Sequence, residues 1–319
     1  MTIDFTKCEQ NKFKVFGGAN GSKRGIIYNG ESYMLKFPAE TKINKVISYS
    51  NSTVSEHIGC KIYDMLGIPV QQTILGTFNH KGKIKTVVAC KDLETDGYIL
   101  KDFASLKNTF IDSVRGGYGT ELSDILQTID EQHFVSPIEL KKFFWDMFVV
   151  DSFLGNFDRH NGNWGFLINE KKEDVKISPI FDCGSCLFAE MDMNLKIQVM
   201  KQRSELEYRL YVIPKSAIMQ NEKKISYFNF LKSNENADCT ESLVDISNRI
   251  DLDKINQMID EIPLISDIEK KFYKYLLKER KEGILNKAIS EITKEKEPSM
   301  LEALKAKGCI QNQPHCRTL

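Results

Sequence analysis

Residues 155–166 read Gly155-Asn156-Phe157-Asp158-Arg159-His160-Asn161-Gly162-Asn163-Trp164-Gly165-Phe166, a Gly- and Asn-rich loop that follows a strongly apolar segment. Asp158 lies five positions before Asn163, and a second carboxylate, Asp182, lies nineteen positions after Asn163 behind a short apolar run. Phosphoryl transfer needs one carboxylate to orient the attacking hydroxyl. It also needs an amide and a second carboxylate to hold the metal ions that bridge the nucleotide phosphates. The order Asp, Asn, Asp therefore predicts an ATP-dependent phosphotransfer site.

The length and composition are those of an ordinary globular protein. With 319 residues the chain can bury a full core in one or two domains, and 41% of its residues are hydrophobic and 28% charged. Lys+Arg and Asp+Glu both number 44, so the formal net charge of zero gives no overall reason to expect direct nucleic-acid binding. The sequence has neither a signal-peptide pattern nor an apolar stretch long enough to cross a bilayer. We therefore expect a cytoplasmic protein with no membrane span, with export that needs no classical signal peptide left open.

Eight cysteines are scattered along the chain, which is too few for a disulfide scaffold of this size. Cys183 and Cys186 have the spacing of half a zinc site, but no second pair of this kind completes one. The sequence thus favours packing residues next to Asp182 over zinc ligands.

The hydrophobic pattern changes along the chain from strands to helices. Short strands surround a glycine-rich turn, a third strand over Ser32–Phe37 ends at Pro38, and an amphipathic helix is predicted over Ser52–Leu66. Strands over Val70–Thr77 and Lys85–Cys90 complete this part of the chain.

Beyond about Leu93 the pattern becomes helical, with helices predicted over Phe103–Ser113, Glu121–Glu131 and Pro137–Leu154. A hairpin over Trp164–Ile180 follows the Asp158 loop. Together these elements predict an α+β, two-lobed, protein-kinase-like fold.

We expect three regions in this fold. A β-rich N-lobe spans residues 1–92, a mainly helical C-lobe spans residues 93–289, and a charged C-terminal tail spans residues 290–319. The nucleotide would lie between the lobes, because ligands favour domain interfaces. The hinge would be the connection at Cys90, Lys91 and Asp92.

Three features of the N-lobe are candidates for nucleotide binding. A glycine-rich turn would bring backbone N–H groups close to phosphate oxygens, although many such turns only reverse the chain. Lys36, in its strand, would contact the α- and β-phosphates or else serve as a solubilising edge lysine. Glu56 would pair with Lys36, or would form a capping box with Thr53. The candidate residues of the turn are Gly17, Gly18, Ala19, Asn20, Gly21 and Ser22.

The C-lobe supplies the catalytic candidates. Asp158 is the candidate catalytic base, and Asn163 and Asp182 are the candidate Mg²⁺ ligands, because Mg²⁺ favours hard oxygen donors. Arg159 and His160 would neutralise developing charge or brace the loop. A simple Asx turn explains Asp158 and Asn163 but does not account for Asp182.

The motifs resemble those of HipA-like bacterial serine/threonine kinases, most closely the compact cell-translocating kinase A (CtkA) group. The resemblance covers about residues 3–287 and rests most specifically on Leu154–Phe166 and Pro179–Leu187, with support from Phe16–Gly21 and Tyr33–Pro38. It implies the HipA-like kinase fold and the cofactors ATP and Mg²⁺. It also implies that the hinge segment Cys90 to Asp92 binds the adenine. The residue roles that it implies are those given above for Lys36, Asp158, Asn163 and Asp182.

The resemblance also implies a protein substrate, which includes the kinase itself. Ser22 is the nearest equivalent of an inhibitory autophosphorylation site, and an antitoxin or a host protein is a further expected partner. Two alternatives stay open. The first is a kinase of a lipid, an inositol or another small molecule, because the Asp-Arg-His-x-x-Asn motif also occurs in phosphoinositide kinases. The second is a pseudokinase effector that binds a nucleotide without transferring phosphate.

Overall fold

The structure, a computed structural model, describes residues 2–12, 14, 23–38, 51–109 and 116–294. A six-stranded sheet has the order β1-β5-β6-β4-β3-β2, in which only the β1–β5 pair is parallel. Its strands are β1 (Ile3–Asp4), β2 (Glu9–Gln10), β3 (Lys23–Tyr28), β4 (Glu31–Lys36), β5 (Thr73–His80) and β6 (Lys83–Lys91).

Two-residue turns set the register of the two long hairpins in this sheet. Asn29 and Gly30 connect β3 to β4, and Lys81 and Gly82 connect β5 to β6, all four with positive φ. Turns of this kind match the right-handed twist of paired strands. The register places Lys23 of β3 opposite Lys36 of β4.

Helix α1 (Ser52–Met65) packs against β5 and β6 and contributes Val54, Ile58 and Ile62 to the larger of two cores. It is followed by Gly67 in the left-handed region, with φ of 70°. A smaller core lies within the sheet and contains Phe5, Ile26, Tyr33, Leu35, Phe37, Phe78, Val87 and Ala89.

The rest of the described chain is mostly helical. The helices are α2 (Phe103–Lys107), α3 (Leu122–Glu131), α4 (Pro137–Leu154), α5 (Met193–Lys201), α6 (Arg203–Glu207), α7 (Tyr227–Ser233), α8 (Ala237–Arg249), α9 (Leu252–Asp260) and α10 (Asp267–Arg280). Two π-helical segments, Tyr208–Val212 and Lys281–Asn286, extend α6 and α10.

Helix α4 lies in the larger core and delivers the Asp158 loop. Pro137 occupies its first turn, where a missing N–H costs nothing, and the Ser136 hydroxyl accepts a hydrogen bond from the Glu139 amide. The helix ends at Gly155, whose φ of 66° suits glycine. The buried guanidinium of Arg280 donates to the carbonyls of Ser152 and Phe153 and so satisfies the end of the helix.

Two small sheets flank the helices. One has the order β7-β8-β9, from β7 (Ile99–Asp102), β8 (Gly165–Asn169) and β9 (Asp174–Ile177). The other is a hairpin of β10 (Met219–Gln220) and β11 (Lys223–Lys224). No helix of the described residues combines the length and apolar character needed to cross a membrane.

The predicted α+β arrangement, with a curled sheet in the N-terminal part and helices beyond it, is confirmed. Strand β7 and helices α5 and α6 were not predicted. The helix predicted over Phe103–Ser113 is shorter, because α2 ends at Lys107 and residues 110–115 lie outside the described part of the chain. Of the expected tail, residues 290–294 are helical, and the remainder also lies outside the described residues.

Candidate active site

Lys36, the last residue of β4, contacts both helix α1 and the segment that carries Asp182. Its Nζ lies 2.9 Å from Oε2 of Glu56 in α1 and 3.0 Å from Oδ1 of Asp182. Burial opposes the charge of this ammonium group, but the two carboxylates outweigh burial and hold the pKa of Lys36 well above its usual value. Lys36 is therefore a charged group, 14% exposed, directed toward the Asp182 segment.

Glu56 faces inward and is only 1% exposed. Its second oxygen, Oε1, accepts a hydrogen bond of 3.1 Å from the backbone N–H of Cys183. The alternative of a capping box with Thr53 is wrong, because the helix N-cap is Asn51 and the Thr53 hydroxyl donates to the Thr86 carbonyl. Glu56 thus ties α1 to both Lys36 and the residue after Asp182.

Asp182 is held in an unusual backbone conformation for a residue with a side chain, with φ of 58°. Left-handed residues other than glycine often mark functional sites, where the surroundings hold the strain. Its side chain is 43% exposed, and the charge of Lys36 lowers the pKa of Asp182 to about 2. The carboxylate is therefore ionised and open on one side.

The loop after α4 is organised around the backbone of Asp158. The amide of Asp158 donates to Oδ1 of Asn156, and its carbonyl accepts from Nδ2 of Asn163 at 2.8 Å and from the amide of His160 at 2.8 Å. Nδ1 of His160 accepts from the amide of Gly162. The loop thus fixes the backbone and leaves the Asp158 side chain half-buried. Burial raises the pKa of Asp158, and the nearby His160 partly offsets this effect.

Asn163 and Asp182 have donors of the kind that Mg²⁺ prefers. Because Nδ2 of Asn163 already donates to the Asp158 carbonyl, its Oδ1 is the atom left to bind a cation. No group of three or more His, Cys, Asp or Glu side chains suited to a metal ion exists among the residues described. Two oxygen ligands from the protein fit Mg²⁺, which commonly takes its remaining ligands from phosphates and water.

Arg159 is buried and bonds to the backbone of the loop. Its guanidinium, 1% exposed, pairs with Asp151 of α4 at 2.9 Å. It also donates to the carbonyls of Asn163 and Phe181. Of the two roles expected for Arg159, this position supports bracing the loop and not neutralising charge on a substrate.

The expected hinge residues use most of their backbone groups within the protein. The amides of Lys91 and Asp92 donate to the carbonyls of Gln72 and Ser32, and the Lys91 carbonyl accepts from Nε2 of Gln71 at 2.7 Å. Cys90 is fully buried in the centre of the sheet. The Asp92 carbonyl is the group of this segment that accepts no hydrogen bond from any described residue.

Lys23 is a residue that the sequence reasoning missed. It lies directly opposite Lys36 in the β3–β4 pair, and like charges in that arrangement repel. Burial lowers the pKa of Lys23, Lys36 lowers it further, and the carboxylates of Asp182 and Glu56 act in the opposite direction. The alternation of side chains along two strands joined by Asn29 and Gly30 was the signal that could have found it.

Two further predictions concern the glycine-rich turn and the two cysteines after Asp182. Residues Gly17, Gly18, Ala19, Asn20, Gly21 and Ser22 lie outside the described part of the chain. Cys183 and Cys186 are both buried and form no disulfide with a described cysteine, which agrees with the packing interpretation. Sγ of Cys183 lies 3.5 Å from the Arg159 guanidinium.

The chain is similar to known proteins over most of its length. Serine/threonine-protein kinase CtkA of Helicobacter pylori is 49% identical over 288 residues, which is 90% of this chain and 87% of that protein. The crystal structure of the H. pylori proinflammatory kinase CtkA superposes with a TM-score of 0.85 at 47% identity, covering 92% of this chain and 99% of that one.

A chain of the Shewanella oneidensis complex of HipA, HipB and operator DNA matches far more loosely, with a TM-score of 0.47 and 13% identity over 90% of this chain and 70% of that one. That similarity is too low to support any inference about partners. The model of the family described as HipA-like C-terminal domain matches residues 10–262. With most of its length matched by this model, and with so similar a relative, the chain belongs to the HipA-like C-terminal domain family.

Proposed function

We propose that this protein is an ATP-dependent serine/threonine protein kinase, which transfers the γ-phosphoryl group of ATP to a protein hydroxyl. The observation that carries the proposal is the contact of Lys36 with both Glu56 and Asp182, beside the loop of Asp158 and Asn163. A strand lysine, a helix glutamate and a metal-binding aspartate in contact are the arrangement that kinases use for catalysis. The name of the relative that is 49% identical supports the same reaction.

In this account Asp158 acts on the substrate hydroxyl. It accepts a hydrogen bond from the hydroxyl, orients it toward the γ-phosphate and takes its proton as the new bond forms. The hydrogen bonds from Asn163 and His160 to its backbone carbonyl hold the carboxylate in place. His160 braces the loop through the hydrogen bond that its Nδ1 accepts from the Gly162 amide, and Arg159 braces it through the Asn163 carbonyl.

Asn163 would hold Mg²⁺ through its Oδ1, and Asp182 would hold it through its carboxylate. When bound, the ion neutralises charge on the phosphate oxygens during transfer. Lys36 adds a positive charge at the α- and β-phosphates, and Glu56 keeps its ammonium group in position. Catalysis would then rest on positioning and electrostatics and needs no covalent intermediate.

The nucleotide would lie between residues 1–92 and residues 93–289, which we propose as the two lobes. The adenine would meet the segment Cys90, Lys91 and Asp92, where the Asp92 carbonyl is the remaining acceptor for the exocyclic amino group. The glycine-rich turn from Gly17 to Ser22 would cover the phosphates. A phosphate on Ser22 would oppose ATP binding by like-charge repulsion.

The substrate would be a protein, and the kinase itself is one candidate. An antitoxin or a host protein is a further proposed partner. We also propose that the protein works in the cytoplasm, or outside the cell after export that uses no classical signal peptide.

Wild type and Asp158→Ala should be incubated with Mg-ATP and compared by intact mass and phosphosite mapping. Phosphoserine or phosphothreonine on the wild type alone is the expected result, with Ser22 among the sites examined. ATP consumption only with a lipid or inositol panel would replace the protein substrate with a small one. Nucleotide binding without transfer to any acceptor would identify a pseudokinase effector.

A further inference from the structure

An open depression of about 240 Å³ lies between the β10–β11 hairpin and α7. Lys36, Glu56 and Asp182 are not among the residues that line it. Its lining is mostly polar and includes Gln220, Lys223, Lys224, Ser226 and Asn229. None of these residues has a role in the proposed handling of ATP.

The depression is fixed to the catalytic loop through Asn156. The Tyr227 hydroxyl, at the start of α7, donates to the Asn156 carbonyl at 2.6 Å. The side chain of the same Asn156 accepts from the amide of Asp158 at 3.1 Å. Tyr227 follows Ser226, which lines the depression, so Asn156 connects the start of α7 to the backbone of the Asp158 loop.

The hairpin is also held from its other side. Its turn residues, Asn221 and Glu222, have φ of 52° and 62°, the backbone of a tight two-residue hairpin turn. The carboxylate of Glu121 accepts hydrogen bonds from both of their amides, at 2.7 and 3.2 Å. The Met219 amide donates to the Thr120 carbonyl at 2.8 Å. The hairpin is therefore an anchored element that presents its lysines in a defined position.

Two lysines and one carboxylate line the depression. Lys223 and Lys224 are exposed, and neither ammonium group makes a hydrogen bond or an ion pair with the residues that the structure describes. The one carboxylate in the lining, Glu235, accepts from Nε2 of Gln220 at 3.2 Å.

We propose that this depression binds an acidic side chain of the protein substrate, next to the hydroxyl that receives the phosphoryl group. Lys224 is the residue that selects the acidic side chain, and Lys223 supports it. An aspartate or glutamate there would supply the anion that the two ammonium groups lack, and complementary charges of this kind set specificity. This inference rests on the proposed protein kinase activity.

The test is a peptide library with a fixed serine or threonine and one varied flanking position at a time. It is phosphorylated by wild type, Lys224→Gln, Lys224→Glu and Lys278→Glu. Lys278 is an exposed lysine on α10 and serves as the matched control. We expect wild type to prefer Asp or Glu over Asn or Gln at one flanking position by roughly two- to fivefold, the range for exposed charge pairs.

Lys224→Gln should lose this preference, Lys224→Glu should replace it with a preference for Lys or Arg, and Lys278→Glu should keep it. Thermal unfolding and Mg-ATP affinity of each variant show whether a loss reflects substrate choice or misfolding. Peptides phosphorylated without acidic preference, or a preference kept in Lys224→Glu, would overturn the inference and leave the kinase activity standing. No phosphorylation of any peptide or protein by wild type would overturn the kinase proposal itself. Lys224-dependent phosphorylation of inositol phosphates alone would overturn a peptide as the occupant.

Discussion

Arg159 and Asp151 form an ion pair in which both side chains are 1% exposed and Nε lies 2.9 Å from Oδ2. The same carboxylate accepts hydrogen bonds from the Tyr63 hydroxyl and from Nδ2 of Asn156, both at 2.9 Å. The guanidinium in turn holds the carbonyls of Asn163 and Phe181. One buried pair therefore connects α1, α4, the Asp158 loop and the segment that carries Asp182.

We predict that Arg159→Met lowers the free energy of unfolding by about 3–5 kcal/mol, because it leaves the Asp151 carboxylate buried without its partner. Phosphoryl transfer should fall with it. Urea unfolding followed by the fluorescence of the two buried tryptophans, Trp145 and Trp164, measures the change.

The matched control is Asp130→Asn, which removes the Asp130–Lys141 pair at 2.6 Å, where Asp130 is 54% exposed. An exposed pair of this kind contributes about 0–1 kcal/mol. If both variants lost the same small amount of unfolding free energy, the Arg159–Asp151 pair would not brace the loop.

Replacing Glu56 by Gln tests the position of Lys36. Gln keeps an oxygen for the Cys183 amide but removes the negative charge 2.9 Å from Lys36 Nζ. We expect kcat/KM to fall roughly 10- to 100-fold, in the range for loss of a charged hydrogen bond that acts in the transition state. Steady-state kinetics with varied ATP measures this, and Glu207→Gln on the exposed face of α6 is the control. Unchanged kinetics would show that Lys36 does not need the charge of Glu56.

Lys23→Met tests the second lysine of the cluster. Because Lys23 and Lys36 repel each other across the strand pair, we expect the free protein to be as stable as wild type or more stable. If Lys23 contacts a phosphate, KM for ATP should rise by about three- to tenfold. Denaturant unfolding and ATP kinetics on the same sample separate the two effects. A large loss of stability with unchanged KM would make Lys23 a structural residue only.

His57 predicts a pH dependence of stability. Burial lowers the pKa of His57 from 6.5 to about 4, and Nδ1 lies 3.0 Å from the Thr73 hydroxyl. At a pH between about 4 and 6.5, His57 binds a proton in the unfolded chain but not in the folded protein. This contribution to stability is therefore complete above pH 6.5 and falls as the pH drops toward 4.

The loss should reach at most about 3 kcal/mol, and less where solvent reaches the partly exposed ring. Urea unfolding of wild type and His57→Gln between pH 7.5 and 4.5 tests this. The variant should show a flatter stability curve over that range. Parallel curves would show that His57 titrates alike in both states.

The elements with strong local signals were the ones that could be predicted. Proline and glycine marked the two ends of α4, and helical spacing with Gly67 marked α1. Strand β7 was missed because its pairing with β8 joins residues more than sixty positions apart, and its own alternation is weak. Such long-range pairing leaves little trace in a short window of sequence.

The residues of the candidate site also divide into those with a local signal in the sequence and those without one. Asp158, Asn163 and Asp182 could be proposed from the sequence because their order and spacing are those that phosphoryl transfer needs. The role of Arg159 depends on its contact with Asp151, which the sequence showed only as a charge interrupting the apolar run of α4. The Lys23–Lys36 pair depends on strand register, which turn geometry sets.

Asp158 is proposed to act on the substrate hydroxyl, and Asp182 on the metal–nucleotide complex. Mg-ATP binding by calorimetry, together with phosphoryl transfer, separates these two roles in wild type, Asp158→Asn and Asp182→Asn. We expect Asp158→Asn to bind Mg-ATP like wild type and to transfer no phosphoryl group. We expect Asp182→Asn to lose both transfer and the part of ATP affinity that depends on Mg²⁺. Transfer by Asp158→Asn at the wild-type rate would contradict the role of Asp158 as the catalytic base.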